Sequence, residues 1–290
     1  MSPTISIFIQ NLLSKTFSYR TIPFIIFRVL FGMYLFFYYL TTLPYGSELY
    51  SNQGMLPEAG LNWTHGFFPN ILNVYDTPLI ITILFVVGSI VSLLFTGGIL
   101  PRAFAVILWY IQTCLYNRNV LTDEPSQAYI GLLLVTFALL PKIESIAYLF
   151  RKEHWHTQAK ILIPYFVYMV PVFIFGITFT LSAYDKLLSS SWENGNALML
   201  LLTMEIAKPS VLLSFLKSHT SITSILSYLA LFSQFICLPL VISGFYRIAI
   251  GIQVVAFSFA FLVLDINQVT LGMLLFLSFY LFQDIFIFKK

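Results

Sequence analysis

Three features of the sequence predict an all-α protein, a polytopic membrane bundle of about eight transmembrane helices with further helices lying in the interface. First, only 9% of its 290 residues are charged while 59% are hydrophobic. A soluble domain carries about 25% charged residues, and so few charges cannot cover a folded surface in water. Second, apolar runs near the length needed to cross the hydrocarbon, about 20 residues, recur along the whole chain. Third, the basic residues sort to one side of the bilayer when those runs are counted as crossings.

The runs are 24–43, 78–95, 99–116, 127–140, 161–183, 225–243, 247–264 and 269–288. The fourth is the shortest. With the N-terminus inside, eleven of the fifteen basic residues fall on the cytoplasmic side, from Lys15, Arg20 and Arg28 through Arg102, Lys142, Arg151, Lys152, Lys160 and Arg247 to Lys289 and Lys290. Arg118, Lys186, Lys208 and Lys217 fall outside. Eight crossings therefore satisfy the positive-inside rule with both termini cytoplasmic. Without the fourth, every later loop flips and the bias weakens. Pro171, inside the fifth run, is expected to kink its helix.

A single membrane domain spanning 1–290 accounts for all of this, since no polar stretch is long enough for a separate soluble domain. Residues 1–20 read as an amphipathic interfacial helix, because Ile5, Phe8, Ile9, Leu12, Leu13 and Phe17 share one helical face. The segments 44–77 and 184–224 read as outer-face caps. Within the second, 196–216 is apolar but carries Glu205, Lys208 and Pro209, which argues for an interfacial or re-entrant helix pair.

Several function classes are excluded. A net charge of +3 with no basic run gives nucleic acid nothing to bind. Cys114 and Cys237 each lie inside an apolar run, so two buried thiols are expected rather than a disulfide. His65, His154, His156 and His219 fall on opposite sides of the membrane and lack metal-ligand spacing, so no metal site is expected.

Three polar clusters remain, all on the outer side. The stretch from Tyr50 to Pro57 is either a lid over a cavity or a plain connecting loop. Between the third and fourth runs, Arg118 and Asn119 stand close in sequence to Asp123 and Glu124. Arg with carboxylate makes strong hydrogen bonds, which would either clasp the hairpin or form a polar wall for a substrate. The third cluster joins Asp185 and Lys186, at the outer end of the fifth run, to Trp192. Lys186 is either a lysine snorkelling to water or an amine in a desolvated pocket, able to act as a base.

Taken in order, Arg28–Met33, Tyr50…Gly54-Met-Leu-Pro57, Tyr116-Asn-Arg-Asn119 with Leu139-Leu-Pro141, and Lys186-Leu187…Trp192…Gly195-Asn-Ala-Leu198 resemble the HTTM family, the membrane domain shared with vitamin K-dependent gamma-carboxylase. The resemblance implies a helical bundle whose working face is non-cytoplasmic. It implies Lys186 as the base that deprotonates a quinone-like cofactor, and a bacterial inner membrane as the setting. It does not extend to the carboxylase's polar Trp-Asn-Asn-His run, whose place is taken by Asp123–Gln127. Nor does it extend to the Glu and His of the sixth and seventh spans, where Gln234 and Gln253 stand, or to the lumenal domain. Two functions follow as expectations. One is a membrane protein with an outward-facing lipid- or quinone-like cavity, a carboxylase-like or related membrane enzyme with Lys186 as base. The other is a non-catalytic helper for the maturation or export of a peptide or membrane partner.

Overall fold

The computed structural model describes residues 16–58, 60, 66, 68–122, 124–141, 146–147 and 160–282. Apart from one pair of short strands and the connections, these residues are helical. They fall into two compact units that divide at Val167 and Tyr168, and each is described in turn.

The first unit opens with strand β1 (Thr16–Arg20), which pairs antiparallel with β2 (Lys160–Pro164). Its helices are α1 (Thr21–Thr42), the short α2 (Gly46–Tyr50), α3 (Pro78–Gly97), α4 (Pro101–Tyr116) and α5 (Pro125–Leu139). Helices α3, α4 and α5 all begin on proline, whose missing N–H costs nothing in the first turn. Helix α3 ends at Gly98 in the left-handed region, φ +81°. There Gly98 N–H donates to the Phe95 carbonyl and Ile99 N–H to that of Leu94. This is the paired closure that satisfies a helix's last carbonyls, and it requires a residue without a Cβ.

Aromatic rings fill the unit's interior. Phe31, Phe95 and Phe137 bring α1, α3 and α5 together, with centroids 5.4 to 6.2 Å apart. Tyr39 and Tyr50 flank Phe85 at 6.0 and 5.8 Å. The outer face of α3 is equally apolar: Leu79, Ile83, Val86, Ile90 and Leu93 form one exposed stripe at alternating four- and three-residue spacing. A surface of that kind suits lipid rather than water.

The second unit contains α6 (Tyr165–Leu187, of which it takes Tyr168 onward), α7 (Ser190–Glu193), α8 (Ala197–Thr203), α9 (Val211–Ser218), α10 (Thr220–Phe235), α11 (Cys237–Ile242), α12 (Tyr246–Val263) and α13 (Asn267–Phe282). Tyr168 donates to the Tyr280 carbonyl at 2.6 Å, and Phe175 meets Phe276 at 6.3 Å. These contacts fasten α6 to α13. Helices α8 and α9 form a pair of short helices of seven and eight residues. Their linker is pinned to the end of α12 by Lys208 N–H on the Val263 carbonyl and Asp265 N–H on that of Ile206. Leu202 and Leu216 pack with Val263 and Leu264 beneath.

Four helices are long and apolar enough to cross a membrane: Thr21–Thr42, Pro78–Gly97, Phe166–Leu187 and Tyr246–Val263. This is consistent with an integral membrane protein. The fourth and eighth apolar runs fall on shorter apolar helices, Pro125–Leu139 and Asn267–Leu281, and the third on the 16-residue α4.

Three expectations are corrected. Of the amphipathic helix expected over 1–20, residues 1–15 lie outside the described residues and 16–20 are strand. The start of the fifth run is also strand, because Pro164 biases Ile163 to the extended region and the helix begins only after it. The sixth run, 225–243, breaks at Ile236 into α10 and α11. Pro239 supplies the reason: it has no N–H for the Phe235 carbonyl four residues back. Thr180 of α6 repairs the break. Its hydroxyl lies 3.3 Å from the Phe235 and Gln234 carbonyls and accepts from Leu238 N–H at 3.1 Å.

Candidate functional site

The polar residues singled out in the sequence form two groups, one in each unit. In the first unit, Arg118 and Asn119 follow the end of α4 and are both fully buried. Arg118 Nη2 lies 3.0 Å from the Asp76 carboxylate, the one ion pair among the described residues. Arg118 also donates to the carbonyls of Leu56 at 2.9 Å and Pro57 at 3.2 Å. Asn119 Nδ2 donates to the Leu49 carbonyl, and its Oδ1 accepts from Leu121 N–H. Asp76 closes the ring from the other side, its carbonyl accepting from Asn52 N–H at 2.9 Å.

Two clusters that read as separate in sequence are thus one construction, in which Arg118 and Asn119 hold the 49–57 loop through its backbone. The clasp expected between Arg118 and Asp123 or Glu124 is not formed with Glu124. Asp123 lies outside the described residues, and Arg118 makes its ion pair with Asp76 rather than Glu124. Asp76 stands 42 positions away, so no short-range pattern could have found it.

Glu124 immediately precedes α5 without capping it through its side chain. Burial pushes its carboxyl above the usual carboxylate range. A raised folded-state pKa means that Glu124's stabilising contribution is fully present below the unfolded pKa and is lost as pH rises through the folded one. Purified protein should therefore gain thermal stability on acidification from pH 7 towards 5, and Glu124→Gln should remove that part of the gain. An unchanged pH profile in the variant contradicts it.

In the second unit Lys186 lies in the last turn of α6. Its ammonium donates to Ser182 Oγ, one turn back, at 3.1 Å and to Gln234 Oε1 at 2.5 Å. It lies 5.4 Å from the centroid of the Trp192 ring, within cation–π range. Lys186 is half-buried, while Asp185 is exposed and makes no ion pair with it. The snorkelling alternative places this amine in water; here it turns back onto protein groups. Gln234 reaches Lys186 from the last turn of α10, just before the break at Ile236. Gln253 donates to Ser233 Oγ at 3.1 Å and approaches Cys237 Sγ at 3.5 Å. Both cysteines are buried and free, as expected from sequence.

Trp192 is held by a tight turn. Gly195 has φ +69°, and a Cβ there would meet the Tyr228 ring at 2.8 Å. Tyr228 in turn donates to the Glu193 carbonyl at 2.9 Å. Trp192 also lines a groove of about 540 Å³. Leu198, Leu201, Phe232, Ile252 and Phe259 contribute to a wall that is almost entirely hydrocarbon. A cavity of that size falls within the range of small-molecule sites, roughly 300–1,000 Å³. A cation beside one of its lining aromatics and hydrocarbon along its wall suit an amphiphile.

Ser182 was not picked out as a site residue, and Gln234 only as standing where the resembled family carries Glu. The first was legible as the i−4 neighbour of Lys186; the second depends on how α10 packs. Among the described residues no cluster of three or more His, Cys, Asp or Glu is arranged to hold a metal ion. Comparison of the chain with family models, curated proteins and solved structures finds no match.

Proposed function

We propose that this chain is an integral membrane protein of HTTM type, with about eight crossings and both termini in the cytoplasm, that receives a lipid- or quinone-like molecule in the groove beside Lys186. The observation that carries this reading is the shared position of Trp192, whose ring lies 5.4 Å from the Lys186 ammonium and which also lines the apolar groove. Lys186 directs two of its three N–H groups at Ser182 and Gln234, so one is left for the polar end of a ligand. The tail lies along the hydrocarbon wall. In this arrangement the amine is a donor and an anchor. The base role implied by the family resemblance requires in addition that it be neutral when the ligand arrives. The helper reading is less favoured, because it needs no ordered partners around Lys186.

The experiment is photocrosslinking of membranes with a fatty acid that carries a diazirine in its tail. Crosslinks are expected on peptides from 226–236 and 252–264, and labelling spread evenly over all lipid-facing helices contradicts the reading. Topology has its own test. Because Cys114 and Cys237 are buried, single cysteines report with little background. Cysteines placed at Asn52 and Ser190 should react with an impermeant maleimide in sealed cells, and one at Lys152 should not. Labelling at Lys152 would rule out the eight-crossing arrangement.

A further inference from the structure

A second cleft, in the first unit and separate from the Lys186 groove, opens between α4 and α5. It encloses about 230 Å³ and graduates from polar to apolar along its length. At the end nearest the connecting loop stand Asn117, Gln112 and Gln127; deeper along the same two helices stand Trp109, Leu132 and Val135. From Asn117 to Trp109 is eight residues, about 12 Å at the helical rise of 1.5 Å per residue. No charged side chain among the described residues lines it.

Buried carboxamides at the edge of a membrane helix pair need partners, because lipid offers none. Gln112 has one, accepting from the Tyr39 hydroxyl at 3.2 Å. Gln127 is nearly completely buried, at 5% exposure. Its Nε2 reaches the Thr122 carbonyl only at 3.4 Å, and its side-chain oxygen accepts no hydrogen bond from any described residue. Gln127 itself is part of the cleft lining, at the polar end. At the apolar end a side chain is missing: Gly131 lines the wall, and a Cβ there would have the Trp109 ring as its nearest neighbour, at 3.8 Å.

We propose that this cleft binds the uncharged, hydroxyl-bearing headgroup of a neutral amphiphile such as a monoacylglycerol. A hydroxyl donates to the Gln127 oxygen while the first part of the chain runs past Trp109 and leaves through the open side. The charge-free lining decides the class, since an ionised head would enter a site with no counter-charge. Size decides against a large ring system, because the cleft is smaller than the roughly 300 Å³ at which drug-sized sites begin.

The test uses detergent-solubilised protein in which Trp63, Trp155 and Trp192 are replaced by Phe, so that Trp109 is the reporter. The probe is a monoacylglycerol with a dibrominated chain, which quenches a tryptophan it touches. Saturable quenching is expected, with dibromostearic acid at pH 8 and the matching bromoalkylamine at least tenfold weaker. Gln127→Leu should raise the half-saturating concentration about tenfold, the effect of one lost buried hydrogen bond. Gly131→Ile, which fills the cleft and leaves its polar groups in place, should abolish the saturable part. If Gly131→Ile does not fold, Gly131→Ala should weaken binding less, in the same direction. Quenching that rises linearly without saturation, equal quenching by the charged probes, or an unchanged curve for Gln127→Leu each overturns the proposal.

Discussion

Replacing Arg118 with leucine is expected to cost the first unit about 3–5 kcal/mol, the usual result of removing one member of a buried ion pair. The guanidinium is fully buried and bonded to a carboxylate and two carbonyls. Its loss strands Asp76, which is itself mostly buried, together with the Leu56 and Pro57 carbonyls. Asp76→Asn should cost less, because an amide still accepts from Arg118 and only the charge attraction is lost. The check is unfolding of the purified protein in detergent by heat or SDS, with the double variant completing the cycle. Strong coupling between the two sites is expected. If Arg118→Leu unfolds like wild type, the 49–57 loop is not held by this residue. Arg118 would then be better regarded as a binding group for an anion.

The second large effect is expected at Lys186 and concerns ligand rather than fold. Lys186→Met removes a charged donor, a loss of about 1.5–3 kcal/mol, which is about ten- to a hundredfold in affinity. The fatty-acid probe should crosslink correspondingly less, at unchanged expression and unfolding temperature. Lys186→Arg separates the two roles open to this side chain. A guanidinium keeps its proton, so an anchor survives the change within a few-fold and a base does not. Retained binding together with retained cellular function would end the general-base idea, whereas retained binding with lost function would support it.

How much of this was legible in the sequence follows from the range of the interactions involved. The helices of the bundle were legible because each apolar run is a local property, and α1, α3 and α12 fall within a few residues of their expected bounds. The short helices α8 and α9 were legible from the charges and proline inside an apolar stretch. Pro239 was visible as well, but whether a proline kinks a helix or divides it depends on what satisfies the freed carbonyl, and Thr180 comes from another helix. The β1–β2 pair was hidden for a similar reason. Its strands lie far apart in the chain, and a five-residue strand beside an apolar run has no period of its own. At the site, Lys186 and Trp192 were found as types worth attention. Their meaning came from Gln234, and that of Arg118 from Asp76, both contributed by distant segments.

Occupancy of the groove beside Trp192 is the claim on which the functional account rests, and filling that groove tests it most directly. Ala256 lines it and is only partly exposed, so Ala256→Phe places a ring in the space of the ligand's tail without touching Lys186, Ser182 or Gln234. Crosslinking by the diazirine fatty acid to peptides 226–236 and 252–264 is predicted to fall at least tenfold in Ala256→Phe, and to be unaffected by Gly131→Ile in the other unit. Undiminished crosslinking in Ala256→Phe would contradict the account, because the probe would then be reporting the surrounding lipid and not a bound molecule.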